Sequence, residues 1–123
     1  MEWKEELQQH TKEAEKIVQG YLPEETGHQK LLIEASNYSV LVGGKRLRPM
    51  IMLESFKAFG GTGNVVEPFM AALEMIHSGS LVHDDLPCMD NDEYRRGNLT
   101  TWKKYGYDMA VLAGDKLFIY AFE

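Results

Sequence analysis

The sequence predicts an all-α protein, and three observations support this prediction. Apolar residues recur at three- and four-residue steps in several segments, which is the spacing of one face of a helix. Glycine and proline residues separate these segments, as they do at helix ends. No segment of alternating apolar and polar residues lies between hairpin-type turns. At 123 residues, the chain fits one domain, which we assign to residues 1–123.

The first two predicted helices each end at a glycine. The first is closed by Gly20 and Pro23, and its apolar face consists of Trp3, Leu7, Ala14, Ile17, Val18 and Tyr21. The second stops at Gly43–Gly44, and its apolar face consists of Leu31, Ala35, Tyr38 and Val42. Both faces are narrow enough to predict amphipathic helices that cover a core.

Two further helices precede the most polar part of the chain. The third has Pro49 in its first turn and ends at Gly60–Gly61, with an apolar face of Met52, Leu53, Phe56 and Phe59. The fourth begins near Asn64, which is predicted to form a capping box with Glu67, and runs to about His83.

The segment 109–122 is apolar on nearly every side, which is typical of a helix that is buried all round. The sequence stops at Glu123 without a capping glycine or a polar tail. We therefore expect a fragment of a longer protein, or a chain that packs against another copy of itself. The alternative is a terminal helix with an exposed apolar stripe.

Composition narrows the function classes. A net charge of -6 argues against a nucleic-acid-binding protein. The single cysteine, Cys88, excludes an internal disulfide and fits a reducing compartment. The N-terminus is charged, unlike a signal peptide, and no apolar run approaches the ~20 residues of a membrane span. We expect a cytoplasmic protein without a membrane span.

Three carboxylates follow the fourth helix. Asp84 and Asp85 are adjacent at its end, and Asp90 follows Pro87. A buried carboxylate without a partner is costly, so this group needs a cation. Ligands that are all oxygen and few in number suit Mg²⁺, which keeps waters and takes further ligands from phosphate.

Basic residues near these carboxylates suit an anionic ligand. Arg95 and Arg96 offer forked donors that match phosphate oxygens. A second basic cluster, GGKRLRP at 43–49, combines glycines that permit close backbone approach with a new helix N-terminus. Either motif alone is more often a solvated surface feature. Their joint occurrence points to a diphosphate bound through a metal.

These motifs resemble a known family. GGKRLRP at 43–49, EMIH at 74–77 and LVHDDLPCMDNDEYRRG at 81–97 are similar to the isoprenyl diphosphate synthases, or polyprenyl synthetases, of the farnesyl and geranylgeranyl type. The resemblance runs from about Ala35 through AVLAGD at 110–115 to Glu123. It implies an antiparallel helix bundle of the isoprenoid synthase type, present here in its N-terminal part.

The resemblance also implies a reaction. The family condenses isopentenyl diphosphate with an allylic diphosphate, through an allylic cation formed when diphosphate leaves, and its members are usually homodimers. By analogy, Asp84, Asp85 and Asp90 hold Mg²⁺ on the allylic diphosphate, and Arg95 contacts the same group. The residues that bind isopentenyl diphosphate by the same analogy are Lys45, Arg48, His77 and Arg96.

Gly79 and Ser80 depart from the family pattern at the position associated with product length. Many bacterial farnesyl synthases carry a tyrosine five residues before the first aspartate, where this chain has Gly79. Because a bulky side chain there forms the floor of the product cavity, we expect a glycine to leave the floor open. This predicts a product longer than farnesyl, most simply geranylgeranyl diphosphate.

The family also carries a second aspartate-rich motif, and the later acids Asp108, Asp115 and Glu123 are too scattered to supply it. We therefore expect these 123 residues to be inactive alone. Two other readings stay open. In the first, His83–Asp84 is a dyad of the kind used by helical metal phosphohydrolases. In the second, the chain is a non-catalytic paralogue or partner subunit that binds diphosphate or a full-length synthase.

Overall fold

The computed structural model describes residues 2–123, which form six α-helices and one short β-hairpin. This confirms the all-α prediction. In residues 2–123, no helix combines the length and the apolar character that crossing a membrane requires. The elements in chain order are α1 (Trp3–Gly20), α2 (Lys30–Leu41), α3 (Leu47–Ala58), α4 (Glu67–Asp84), β1 (Tyr94–Arg95), β2 (Asn98–Leu99), α5 (Thr101–Tyr105) and α6 (Tyr107–Ala121).

The chain divides into two compact units. The first consists of residues 2–22 and 45–74, which contain α1, α3 and the beginning of α4. The second consists of residues 23–44 and 75–123, which contain α2, the rest of α4, the hairpin, α5 and α6.

In the first unit, α1 packs against α3. The packing buries part of the apolar faces predicted from the three- and four-residue spacing, whereas Trp3, Tyr21 and Phe59 are 68%, 37% and 93% exposed. The buried centre consists of Ala14, Leu53, Val66 and Met70, with Ile17, Met50, Met52 and Phe56 partly buried around it.

A buried ion pair ties the start of α3 to α4 in the same unit. Arg46 has φ of 54° directly before α3, and it is only 3% exposed. Its Nη1 donates to Oε1 of Glu74 at 2.8 Å, and its Nη2 lies 3.6 Å from Oε1 of Glu15. Glu74 is also 3% exposed. Arg46 therefore has a structural role, although it lies within the basic cluster at 43–49.

In the second unit, α2 and α5 both pack against α6. The apolar cluster consists of Val82, Leu86 and Ala110, with Trp102 and Val111 packed against it. The Tyr38 hydroxyl donates to the backbone oxygen of Leu99 at 2.7 Å, so a side chain of α2 is bonded to the hairpin.

Two local predictions differ from the structure. Helix α4 begins at Glu67, whose carboxylate accepts a hydrogen bond from the Tyr21 hydroxyl at 3.3 Å, so Glu67 is not the third residue of a capping box with Asn64. The antiparallel hairpin of β1 and β2 was not predicted. Its strands have two residues each, which is too short for alternation to be detected.

Helix α6 confirms the predicted C-terminal helix but not its burial on every side. Ala110, Ala113, Gly114 and Leu117 are buried. Leu112 and Ile119, on the other hand, are 51% and 67% exposed. Helix α6 therefore has an exposed apolar side in residues 2–123.

The Arg46–Glu74 pair makes a stability prediction. We expect Glu74→Ala to lower the free energy of unfolding by about 3–5 kcal/mol, because it leaves a buried guanidinium without its main partner. Urea unfolding followed by circular dichroism measures the change. The matched control is Lys57→Met, which breaks an exposed pair with Glu13 at 3.5 Å and should cost no more than about 1 kcal/mol. Equal losses in both variants would contradict this account.

Candidate functional site

The acidic segment begins at the end of α4 and turns back on it. Pro87 follows the helix closely and cannot continue its hydrogen-bond pattern. The amide of Asp90 donates to the backbone oxygen of Asp84 at 2.8 Å, and the amide of Asp92 donates to that of Asp85 at 3.2 Å. Backbone bonds therefore hold the loop after α4 against the two aspartates at the helix end.

Asp85 and Arg95 form a two-pronged ion pair. Asp85 is 4% exposed, and its Oδ2 and Oδ1 accept from Nε and Nη2 of Arg95 at 2.9 and 2.7 Å. The hydrogen bonds that Arg95 donates to Asp85 raise the pKa of Arg95 above its ordinary value, burial opposes this rise, and the charges of Asp85, Asp92 and Asp84 add to it. Arg95 is therefore held in place as a permanent cation.

The three predicted metal ligands do not form one cluster. Across residues 2–123, no group of three or more histidine, cysteine, aspartate or glutamate side chains is arranged to hold a metal ion. Asp85 is bonded to Arg95, whereas Asp84 and Asp90 are exposed. Two exposed carboxylates fit an Mg²⁺ ion that takes its other ligands from water and phosphate, but they do not fit an ion held by the protein alone.

Arg96 lies against Gly44, shortly after the end of α2. It has φ of 51° in the turn between β1 and β2, and a side chain at Gly44 would overlap its guanidinium group. Gly44 itself has φ of 137°, which also favours glycine. In the second unit, Arg96 of the RRG sequence therefore contacts Gly44 of the GGKRLRP sequence. Lys45 and Arg48 are exposed residues of the first unit.

Gly79 does not face open space. A side chain there would meet the backbone oxygen of Gly114 at 3.2 Å, Cε1 of Phe118 at 3.2 Å and Cβ of Leu117 at 3.3 Å. Helix α6 therefore packs closely against Gly79 in the second unit. The expected effect of this glycine on product length stays a prediction. The glycine permits close packing of α4 and α6.

The other predicted residues of α4 lie beside Gly79. His77 is half-buried, and its backbone oxygen accepts a hydrogen bond from the Ser80 hydroxyl at 2.6 Å. The Ser80 side chain is thus bonded within its own helix.

His83 is engaged with α6, which argues against a phosphohydrolase dyad. Its Nε2 lies 3.0 Å from the backbone oxygen of Val111 and 3.4 Å from Oδ1 of Asp115. Because a carbonyl oxygen only accepts, Nε2 carries the proton and has no lone pair for a metal. Asp84, the second member of the dyad, is exposed.

Several residues that support the site were missed from the sequence. The backbone oxygen of Asp92 accepts from the Thr100 hydroxyl at 2.7 Å and from Nε1 of Trp102 at 2.8 Å. The Ser39 and Thr101 hydroxyls are 2.7 Å apart. The bonds to Asp92 tie the end of the acidic loop to the start of α5, and the Ser39–Thr101 bond ties α5 to α2. They join residues far apart in sequence, and only the TT pair at 100–101 before a helix hinted at one of them.

Comparison with known proteins gives a consistent result. The family model described as polyprenyl synthetase matches residues 29–123. The chloroplastic geranylgeranyl pyrophosphate synthase of Catharanthus roseus is 57% identical over 90 residues, which are 73% of this chain and 25% of that protein. Farnesyl diphosphate synthase of Micrococcus luteus is 53% identical over 95 residues, which are 77% of this chain and 33% of that protein. The chain spans about a quarter to a third of the length of the curated relatives it matches.

Solved structures are similar over almost the whole chain. The apo FPP/GFPP synthase from Zymomonas mobilis matches with a TM-score of 0.86 and 37% identity, over 97% of this chain and 43% of that one. Geranyltranstransferase from Thermotoga maritima matches with a TM-score of 0.84 and 38% identity, over 95% of this chain and 43% of that one. These similarities confirm the predicted fold of the isoprenoid synthase type.

The Asp85–Arg95 pair makes a second stability prediction. We expect Asp85→Asn to lower the free energy of unfolding by about 1.5–3 kcal/mol, because it weakens two charge-assisted hydrogen bonds of a buried carboxylate. The control, Asp84→Asn, changes an exposed neighbour and should stay within about 0.5 kcal/mol of the unmodified chain. Urea unfolding distinguishes the variants, and a larger loss for Asp84→Asn would refute the assignment.

Proposed function

The chain belongs to the polyprenyl synthetase family, and from this we propose that it supplies part of an isoprenyl diphosphate synthase. The reaction is condensation of isopentenyl diphosphate with an allylic diphosphate, giving farnesyl or geranylgeranyl diphosphate. The observation that carries this proposal is the segment 84–96, where exposed carboxylates accompany an arginine that Asp85 holds in place through two hydrogen bonds.

In this proposal, Asp84 and Asp90 bind the allylic diphosphate through Mg²⁺. Mg²⁺ would neutralise charge on the diphosphate as it leaves. Asp85 acts mainly through Arg95, whose Nε and Nη2 it occupies. The Nη1 group of Arg95 is then the donor for a diphosphate oxygen. Donors fixed before the reaction stabilise developing charge without a cost of reorganisation.

The second diphosphate would bind to a separate set of basic side chains. We assign isopentenyl diphosphate to Lys45, Arg48, His77 and Arg96, as the family resemblance implies. The support for Arg96 is its contact with Gly44, since backbone without a side chain permits close approach of a ligand as well. Arg46 is excluded from this set, because its guanidinium is buried on Glu74.

Bond formation follows from these roles. Departure of diphosphate leaves an allylic cation, the double bond of isopentenyl diphosphate attacks it, and a proton then leaves the new chain. Apolar helix faces keep water from the cation. The geranylgeranyl product stays a prediction, which rests on Gly79 and Ser80 through the family resemblance.

The remaining assignments concern the whole protein. A homodimer or larger homo-oligomer, a cytoplasmic location and inactivity of these 123 residues alone stay predictions. Relatives named geranylgeranyl and farnesyl diphosphate synthases do not favour a non-catalytic partner subunit, and the contacts of His83 do not favour a phosphohydrolase.

A chimaera tests the proposed function. Residues 29–123 replace the matching segment of the Micrococcus luteus farnesyl diphosphate synthase, and chromatography of products from isopentenyl and geranyl diphosphates measures turnover and chain length. We expect an active chimaera in which Asp84→Asn lowers kcat by about 100-fold or more, because a charge-stabilising group is lost. Asp108→Asn, in the exposed first turn of α6, is the control and should leave kcat unchanged.

Two results would contradict the proposal. A chimaera that folds and binds neither diphosphate would exclude the assigned substrates. Equal losses for Asp84→Asn and Asp108→Asn would remove the special role of the acidic segment. Turnover by the unfused 123-residue chain would contradict only the predicted inactivity.

A further inference from the structure

The contact between the end of α4 and α6 is built around one histidine ring. His83 bonds to the backbone oxygen of Val111 through Nε2 at 3.0 Å. Its ring also meets the ring of Phe118 edge-on, with 5.4 Å between centroids and 66° between planes. A hydrogen bond and an aromatic contact together fix both the position and the tilt of the imidazole.

Two glycines create the space for this contact. A side chain at Gly114 would overlap Nε2 and Cδ2 of the His83 ring. Gly79, one turn earlier on α4, lies under the backbone oxygen of Gly114. Since both glycines are helical, each lowers helix propensity by about 1 kcal/mol relative to alanine, and close packing is a physical reason to have them there.

His83 directly precedes the residues whose backbone holds the acidic loop. The backbone oxygens of Asp84 and Asp85 accept from the amides of Asp90 and Asp92, and the backbone oxygen of His83 accepts from the amide of Leu86 at 3.3 Å. A helix end normally frays, because its last carbonyls lack partners within the helix. An anchor at His83 therefore acts on the whole segment 84–92.

We propose that His83 is a positioning residue for the acidic segment, and that its imidazole ring can occupy this position only when residue 114 is glycine. His83 acts on the ligand only through Asp84 and Asp90, since its own Nε2 is bonded to α6. This inference rests on the proposed function for the identity of the ligand, but its structural part can be tested without a ligand.

Amide hydrogen exchange of the 123-residue chain tests the anchor. We expect His83→Ala to speed exchange at the Asp90 and Asp92 amides by about tenfold, while the Ala35 amide in α2 changes by less than about twofold. A general loss of stability would speed all three together. His83→Gln keeps a side-chain donor and should recover most of the protection. Unchanged exchange at Asp90 and Asp92 in His83→Ala would overturn the inference.

A double-mutant cycle tests whether the His83 ring requires glycine at position 114. Gly114→Ala should reproduce the faster exchange of His83→Ala, because the new methyl group displaces the ring. In the His83→Ala background, the same change should add less than about twofold, since no ring remains to be displaced. An equal effect in both backgrounds would overturn the requirement for glycine.

Calorimetric titration with geranyl diphosphate and Mg²⁺ provides the functional readout. We expect His83→Ala to weaken binding by about tenfold, as is typical when a residue that orients metal ligands is lost. The control is His10→Ala, a histidine 3.4 Å from Glu54 in the first unit, which should bind like the unmodified chain. Absence of binding by the unmodified chain would overturn the proposed function, while the exchange rates would still decide the anchor.

Discussion

The two-pronged pair between Asp85 and Arg95 determines what the acidic segment can do. A buried carboxylate needs a compensating cation, and Arg95 supplies it with two hydrogen bonds. The same bonds raise the pKa of Arg95 and fix its side chain next to the exposed aspartates. The acidic triplet of the sequence therefore consists of one buried aspartate that is paired with Arg95 and two exposed aspartates.

The basic residues at 45–48 also differ in whether they are buried or exposed. Arg46 is enclosed and bonded to Glu74, so its charge is neutralised inside the first unit. Lys45 and Arg48, its neighbours in sequence, are exposed. A desolvated charge contributes to folding only when it is paired, whereas an exposed charge keeps its contact with water. Residues of one motif thus differ in their burial.

Helical periodicity and glycine positions were sufficient to predict the long helices, and the motif around Asp84 was sufficient to predict the family. Which residues of each motif are buried and paired, and which are exposed, was not predictable, because this depends on contacts between distant residues. Nothing near Asp85 in sequence indicates that Arg95 reaches it across the loop. Gly79 is a related case, because its sequence neighbours do not indicate that residues of α6 pack against it.

The position of the acidic pair within α4 carries a further argument. Asp84 ends the helix and Asp85 follows it, where the helix dipole presents its negative end. Acidic residues there are unfavourable by roughly 0.3–1 kcal/mol each, and they favour the opposite end of a helix. Arg95 offsets this cost for Asp85, but Asp84 is exposed. A local conflict of this kind is expected at functional sites, because a bound cation relieves it.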